Sequence, residues 1–160
     1  MSVAYVGVGS NLDEPRRQVA QALGELDGIP ATRVVKRSSL YRSAPVGHAA
    51  QPEFVNAVAA LDTTLDPESL LGELLAIEAR HGRRRSFANA PRTLDLDLLL
   101  YDDARQRSAR LTLPHPRMHE RAFVLKPLLE LEPEIAIPGR GRAQDLLSAC
   151  AGQRVEKSDG

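Results

Sequence analysis

The order of elements in this sequence predicts an α+β fold with a mostly antiparallel sheet. Three observations carry that reading. Stretches with strand character come in pairs, rather than singly, between the helical stretches. The helical stretches bring their own start and stop residues. A leucine-rich strand, "TLDLDLLLY", is apolar on both faces toward its far end, which predicts a central place in the sheet.

Taken in order, Ser2 to Gly9 ("SVAYVGVG") is short, β-branched and aromatic, hence a strand. "SNLDEPRRQVAQALGELDG" follows as a helix. Asp13 can cap it, Pro15 suits its first turn, and Val19, Ala22, Leu23 and Leu26 recur at helical spacing. Gly28 and Pro30 end it. Thr32 to Ala44 and Phe54 to Thr64 read as strands, with "PVGHAAQPE" as the loop between them. "DPESLLGELLAIEARHGR" is the clearest helix: Asp66 caps, Pro67 takes the first position, Glu68 favours the positive end and Gly82 stops it. After the leucine strand, Arg110 to Pro114 is a short strand, and "PRMHERAFVLKPLLEL" is a helix that Pro127 is expected to interrupt. One domain is expected over 1–160, with about 148–160 as a polar, frayed tail.

Composition narrows the function. Lysine plus arginine total 21 and aspartate plus glutamate 21, so no global field draws the chain to nucleic acid or an anionic membrane. Cys150 is the only cysteine, so no intrachain disulfide can form, and a reducing, cytoplasmic setting is expected. No apolar run approaches the roughly 20 residues that span a bilayer.

The chemistry concentrates around "PRTLDLDLLLYDD". Strand alternation puts Leu94, Leu96, Leu98 and Leu100 on one face and Asp95, Asp97, Leu99 and Tyr101 on the other. The two acids then stand side by side, Cα atoms about 6.5–7 Å apart. Unpaired, they would repel and raise each other's pKa. Hard divalent cations between them relieve this and are a known device for phosphoryl chemistry. The simpler reading pairs both acids with arginines on a solvated rim. Arg80, Arg83, Arg84, Arg85 and Arg92 lie close by in sequence and suit phosphate oxygens, though a basic loop at a helix C-terminus needs no ligand to exist. No Walker sequence is present. Gly7 and Gly9 are read as turn and packing positions, and Asp13 and Glu14 sit where a helix N-terminus would otherwise take a phosphate. His115 lies between two prolines; both a phosphate contact and a structural role stay open. Phe54 stands two residues before Asn56, a pairing that suits a flat heterocycle, while core packing is the preferred reading of Phe54 and Phe123 taken alone.

Together "YVGVGSNL", "SSLYRSAPVG…QPEFVNAV", "IEARHGRRR…PRTLDLDLLLYD" and "LTLPHPRMHERAFVLKPL" resemble the 6-hydroxymethyl-7,8-dihydropterin pyrophosphokinases of folate biosynthesis, from about Tyr5 to about Glu134. The resemblance implies a ferredoxin-like core elaborated into a three-layer α-β-α domain. It also implies transfer of pyrophosphate from ATP to the pterin's hydroxymethyl oxygen, releasing AMP. Asp95 and Asp97 match the acids that hold two Mg²⁺. Arg83, Arg85, Arg92, His115 and Arg121 match positions facing ATP, and Glu78, Leu98, Arg110 and Thr112 match the rest of the nucleotide site. Phe54 and Phe123 match the pair that sandwiches the pterin, with Asn56 as amide partner and Ser43 and Val46 at the pterin edge. The chain is expected to act as a monomer on small molecules, without nucleic acid or membrane. Two departures stand out. The loop "RRRSFANAPR" is one residue shorter than in the best-known members and lacks a tryptophan, leaving Phe87 or Asn89 in its place. Pro116 stands where some members carry a tyrosine. Two rival readings stay open at this point: a nucleic-acid-binding ferredoxin-like module, and a two-metal phosphohydrolase transferring to water.

Overall fold

The structure, a computed structural model, describes residues 1–11, 14–43, 53–82 and 94–158. β1 (Ser2–Ser10), β2 (Thr32–Arg37), β3 (Tyr41–Ser43), β4 (Phe54–Thr63), β5 (Asp95–Tyr101) and β10 (Val155–Lys157) form one sheet in the order β10-β3-β4-β1-β5, with β2 also on β4. Every pairing is antiparallel. α1 (Pro15–Leu26) links β1 to β2, and α2 (Pro67–Arg80) links β4 to β5. Each of these connections therefore steps over one intervening strand, which is the ferredoxin-like arrangement.

Two cores sandwich the sheet. On one face Val19 and Leu23 of α1 and Leu70 and Leu74 of α2 pack on Val6, Val8, Ala57, Leu96 and Leu98. On the other, Leu125 and Leu128 of α3 (Ala122–Leu131) and Ala143 of α4 (Ala143–Ser148) pack on Tyr41, Val58, Leu99 and Leu100. These are the three layers the resemblance implied. Short pairs β6–β7 (Gln106–Arg107, Thr112–Leu113) and β8–β9 (Ala136–Ile137, Gly141–Arg142) complete the described elements. No helix among the described residues is long and apolar enough to cross a membrane.

Local chemistry explains most boundaries. Asp66 caps α2 by accepting the Ser69 amide at 3.2 Å, and Pro67 occupies its first turn. Gly82, at φ +76, takes the left-handed conformation just past the α2 cap residue His81. Several expectations are corrected. β5 ends the sheet path instead of lying at its centre. Its leucines are buried on both faces because a helix layer covers each, so apolarity did not require a strand on each side. The alternation also breaks. Tyr5 pairs with Leu100 and Val6 with Leu98, so Leu99 is an extra residue. Leu100 thereby joins Leu99 on the α3 face, and Tyr101 turns to the α2 face, where its hydroxyl donates to the Leu65 carbonyl at 2.7 Å.

The predicted strand over 32–44 is broken at Ser38, whose hydroxyl accepts the Val58 amide. The N-cap position of α1 is Glu14, in left-handed backbone and without a side-chain cap bond; Asp13 lies outside the described residues. Gly7 and Gly9 lie inside β1, not in a turn. The third helix begins only at Ala122, after a 3-10 turn at Met118–Glu120, and it runs through Pro127 unbroken. The tail expected to fray instead lays β10 against β3.

α3 is tied to β3 by a polar lock. The Tyr41 hydroxyl donates to Glu130 at 2.6 Å, and the Ser39 amide and hydroxyl donate to the same carboxylate. Burial alone would raise the pKa of Glu130, but these hydrogen bonds outweigh it and hold the carboxylate below its usual range. That stabilisation exists above the ordinary glutamate range and is lost as pH falls through the depressed value. Tyr41→Phe is expected to lower unfolding free energy by about 1 kcal/mol and to weaken its acid dependence, both read from urea denaturation across pH.

Candidate active site

The site grows from a row across the sheet. Asn56 of β4 faces Gly9 of β1, which faces Asp95 of β5; one step along, Val58, Gly7 and Asp97 make the next row. These positions point toward the α3 layer, opposite Val6, Val8 and Ala57. The middle strand thus carries no side chain between the aspartates and Asn56. A Cβ on Gly9 would stand 3.0 Å from Asn56 Oδ1, whereas one on Gly7 would meet Leu99 at an ordinary 3.5 Å. Asn56 is buried, and its Nδ2 donates to Ser43 Oγ at 2.6 Å, which leaves the amide oxygen on the Gly9 side. Phe54 lies on the same face of β4 as Asn56, and Phe123 packs against that face from α3.

On the other side of the aspartates, a cavity of about 450 Å³ opens between α2, β5 and the segment 108–116. Glu78, Asp95, Asp97, Leu98, Arg110, Thr112 and His115 all line it, so seven of the predicted site residues converge on one space. Leu71, Leu75 and Leu111 supply an apolar wall. Leu71 and Leu75 fall on the apolar spacing of α2 and so look like core residues in the sequence; in the structure Leu75 is 42% exposed, which core packing does not explain. Pro116 also lines the cavity. The outer edge of β5 is held by groups of the same cavity. The Leu96 amide donates to the buried Glu78 carboxylate at 2.7 Å, and the bulged Leu99 carbonyl accepts the His115 amide at 2.9 Å.

His115 and Arg121 flank Asp97. His115 Nε2 lies 3.9 Å from Oδ1 and Arg121 Nη1 lies 3.9 Å from Oδ2, so both approach without hydrogen bonding. Burial, then the charge on Arg121, push the His115 pKa down to about 4, with Arg117 adding to the effect, although Asp95 pulls the other way. Asp97 is the nearer carboxylate, but burial dominates either pull. Near neutral pH His115 is therefore uncharged. Its Nδ1 accepts the Arg117 amide at 3.1 Å, which places the ring proton on Nε2, facing Asp97. Arg121 also lies over Phe123, 5.5 Å from the ring centre. Arg83, Arg85, Arg92 and Val46, with Phe87 and Asn89, lie outside the described residues.

The chemistry of the donor set fits a divalent cation. Asp95 and Asp97 offer hard oxygens on one face, and the neighbouring imidazole is neutral. No group of three or more histidine, cysteine, aspartate or glutamate side chains suited to a metal occurs among the described residues. A cation held by these two acids would complete its shell from a ligand or water.

Comparison with known proteins points to one family. The profile of the family described as 7,8-dihydro-6-hydroxymethylpterin-pyrophosphokinase matches residues 5–133. A Pseudomonas aeruginosa protein named 2-amino-4-hydroxy-6-hydroxymethyldihydropteridine pyrophosphokinase is 48% identical over 156 residues, covering 98% of this chain and 96% of its own length. A Haemophilus influenzae protein of the same name is 41% identical, covering 98% of each. Among solved structures, a Plasmodium falciparum HPPK-DHPS chain crystallised with pterin and p-hydroxybenzoate superposes with a TM-score of 0.71 at 14% identity, a likeness of fold. It covers 92% of this chain, which spans only 42% of that longer one.

The low pKa of His115 sets a pH signature. Between pH of about 6.5 and about 4 the unfolded chain binds a proton at this histidine that the folded chain refuses, so stability falls as pH drops through that window. In the metal-free protein His115→Gln is expected to flatten the stability slope there, measured by denaturant unfolding at successive pH values.

Proposed function

The chain belongs to the 7,8-dihydro-6-hydroxymethylpterin-pyrophosphokinase family; we propose that its two-aspartate row is where the pyrophosphoryl group of ATP passes to the hydroxymethyl oxygen of 6-hydroxymethyl-7,8-dihydropterin, releasing AMP. One observation carries this placement. The aspartates stand between a cavity with an apolar wall and a floor bearing Asn56, Phe54 and Phe123, and a bare glycine strand joins the two. Asn56 and Asp95 are two strand spacings apart, roughly 9.5 Å. That is about the reach from the amide edge of a bicyclic ring to its hydroxymethyl group and the attacked phosphorus.

Asp95 and Asp97 would hold two Mg²⁺, which supply charge neutralisation and orientation of the polyphosphate. The protein's own residues do the rest. Leu71, Leu75, Leu98 and Leu111 receive the base, with Arg110 and Thr112 on the adenosine side and Glu78 holding β5 in place. Neutral His115 donates from Nε2 to a phosphate oxygen without adding charge. Arg121, beside Asp97, stabilises charge on the transferring group. Arg83, Arg85 and Arg92 take the same role by resemblance, and Val46 meets the pterin edge through its backbone. Asn56, fixed by Ser43, presents its carbonyl oxygen to a ring N–H donor, and Phe54 and Phe123 cover the ring faces. Catalysis then rests mostly on positioning and electrostatics, and the proton released by the attacking hydroxyl leaves to solvent or to a phosphate oxygen.

Supplying Mg²⁺-ATP with and without the pterin alcohol tests the reading directly. AMP is expected only when the alcohol is present, and Asp97→Ala is expected to lower its release by roughly 10³-fold or more with the fold intact by circular dichroism. Phosphate release without the alcohol would instead mark a phosphohydrolase. The floor has its own test. Gly9→Ala is expected to raise KM for the pterin by about tenfold, because its Cβ crowds Asn56 Oδ1, whereas Gly7→Ala stays within about threefold.

A further inference from the structure

α3 begins without a cap of its own. Its N-cap position is Arg121, whose side chain bonds none of the first amides of the helix, where serine, threonine, aspartate or asparagine is the usual choice. Arg121 is directed elsewhere, toward Asp97 and Phe123. The sequence around it favours one continuous helix, yet the backbone at Arg121 is extended, with φ −118 and ψ 106, and divides the 3-10 turn from α3.

The missing partner comes from the far end of the chain. Gln153 Oε1 accepts the Ala122 amide at 2.9 Å, and Gln153 Nε2 donates to the Glu120 carbonyl at 2.7 Å. A continuous helix would pair both of those backbone groups internally. One side-chain amide therefore satisfies the break on either side of Arg121. Gln153 is itself anchored. Its amide donates to the Cys150 carbonyl at 2.9 Å. Two residues on, buried Val155 pairs with Ser43, and Lys126 of α3 donates to the Val155 carbonyl.

We propose that Gln153 is a positioning residue for pyrophosphoryl transfer: it caps α3 from the C-terminal segment and maintains the helix break that aims Arg121 at Asp97. It touches no substrate. The inference rests on the reading that Arg121 serves the reaction.

The test is steady-state kinetics on the full chain with Gln153→Ala, alone and combined with Arg121→Ala, with thermal unfolding of each variant. Gln153→Ala is expected to lower kcat about 5- to 20-fold while KM for ATP and for the pterin change less than about threefold. In the Arg121→Ala background the same replacement is expected to change kcat less than about twofold. Gln153→Glu keeps an acceptor for the Ala122 amide and loses the donor to Glu120, so an intermediate loss is expected; it replaces the alanine variant if that one does not fold. An equal fold-loss in both backgrounds would make Gln153 a general structural residue and overturn the proposal. Unchanged kcat in Gln153→Ala beside a slow Arg121→Ala would overturn it too. Full activity in Arg121→Ala would remove the premise about Arg121 as well, a result distinct from the other two.

Discussion

Two carboxylates held one strand residue apart set the terms for everything near them. Asp95 and Asp97 share a face of β5, and their mutual repulsion has to be offset or put to use. The surroundings do both. The adjacent strand offers glycine at each facing position, so nothing apolar is pressed against the acids. Burial and the guanidinium of Arg121 keep His115 neutral, and that imidazole does not compete as a cation. Arg121 itself stays 3.9 Å from Asp97, near enough to offset part of the negative potential of the pair without closing a hydrogen bond. A space with this distribution of charge suits a polyphosphate with its metals better than either partner alone.

The scaffold serves that arrangement through its edges. β5 ends the sheet, and an exposed edge would be a liability. Here the backbone groups of the edge are taken up by the site: Glu78 accepts from Leu96, and the bulged Leu99 carbonyl accepts from His115. The bulge thus links strand register to the placement of the His115 imidazole beside Asp97. It also turns Leu100 toward α3, which buries Leu99 and Leu100 in one core and Leu96 and Leu98 in the other. On the opposite side of the site, β10 ties β3 to α3, so Ser43 and Phe123 are joined through the C-terminal segment.

Much of this was legible in the residues. The Asp-x-Asp pair, the capped helix at Asp66 and the strand pairs between helices announce themselves through short-range rules, and His115, Arg110 and Thr112, marked by the family resemblance, line one cavity with the two aspartates. What escaped was long-range. A register shift leaves no trace where Leu98, Leu99 and Leu100 are identical, and a strand's place in the sheet is decided by topology, not by its own apolarity. Gly7 and Gly9 resemble turn glycines until the pairing puts them beside the acids. Gln153 acts on backbone groups 31 and 33 residues away, and a side-chain bond of that kind has no periodicity to betray it. The helix break at Arg121 was hidden for the same reason, since nothing local to "MHERAFVL" requires it.

If the paired aspartates take up a nucleotide through divalent ions, its affinity must depend on those ions. Isothermal titration of a non-hydrolysable ATP analogue, with excess magnesium and then with excess chelator, measures this most directly. An affinity at least about 100-fold higher with magnesium is expected, with loss of that difference when both aspartates are replaced by asparagine. Equal affinity in the two solutions would contradict it.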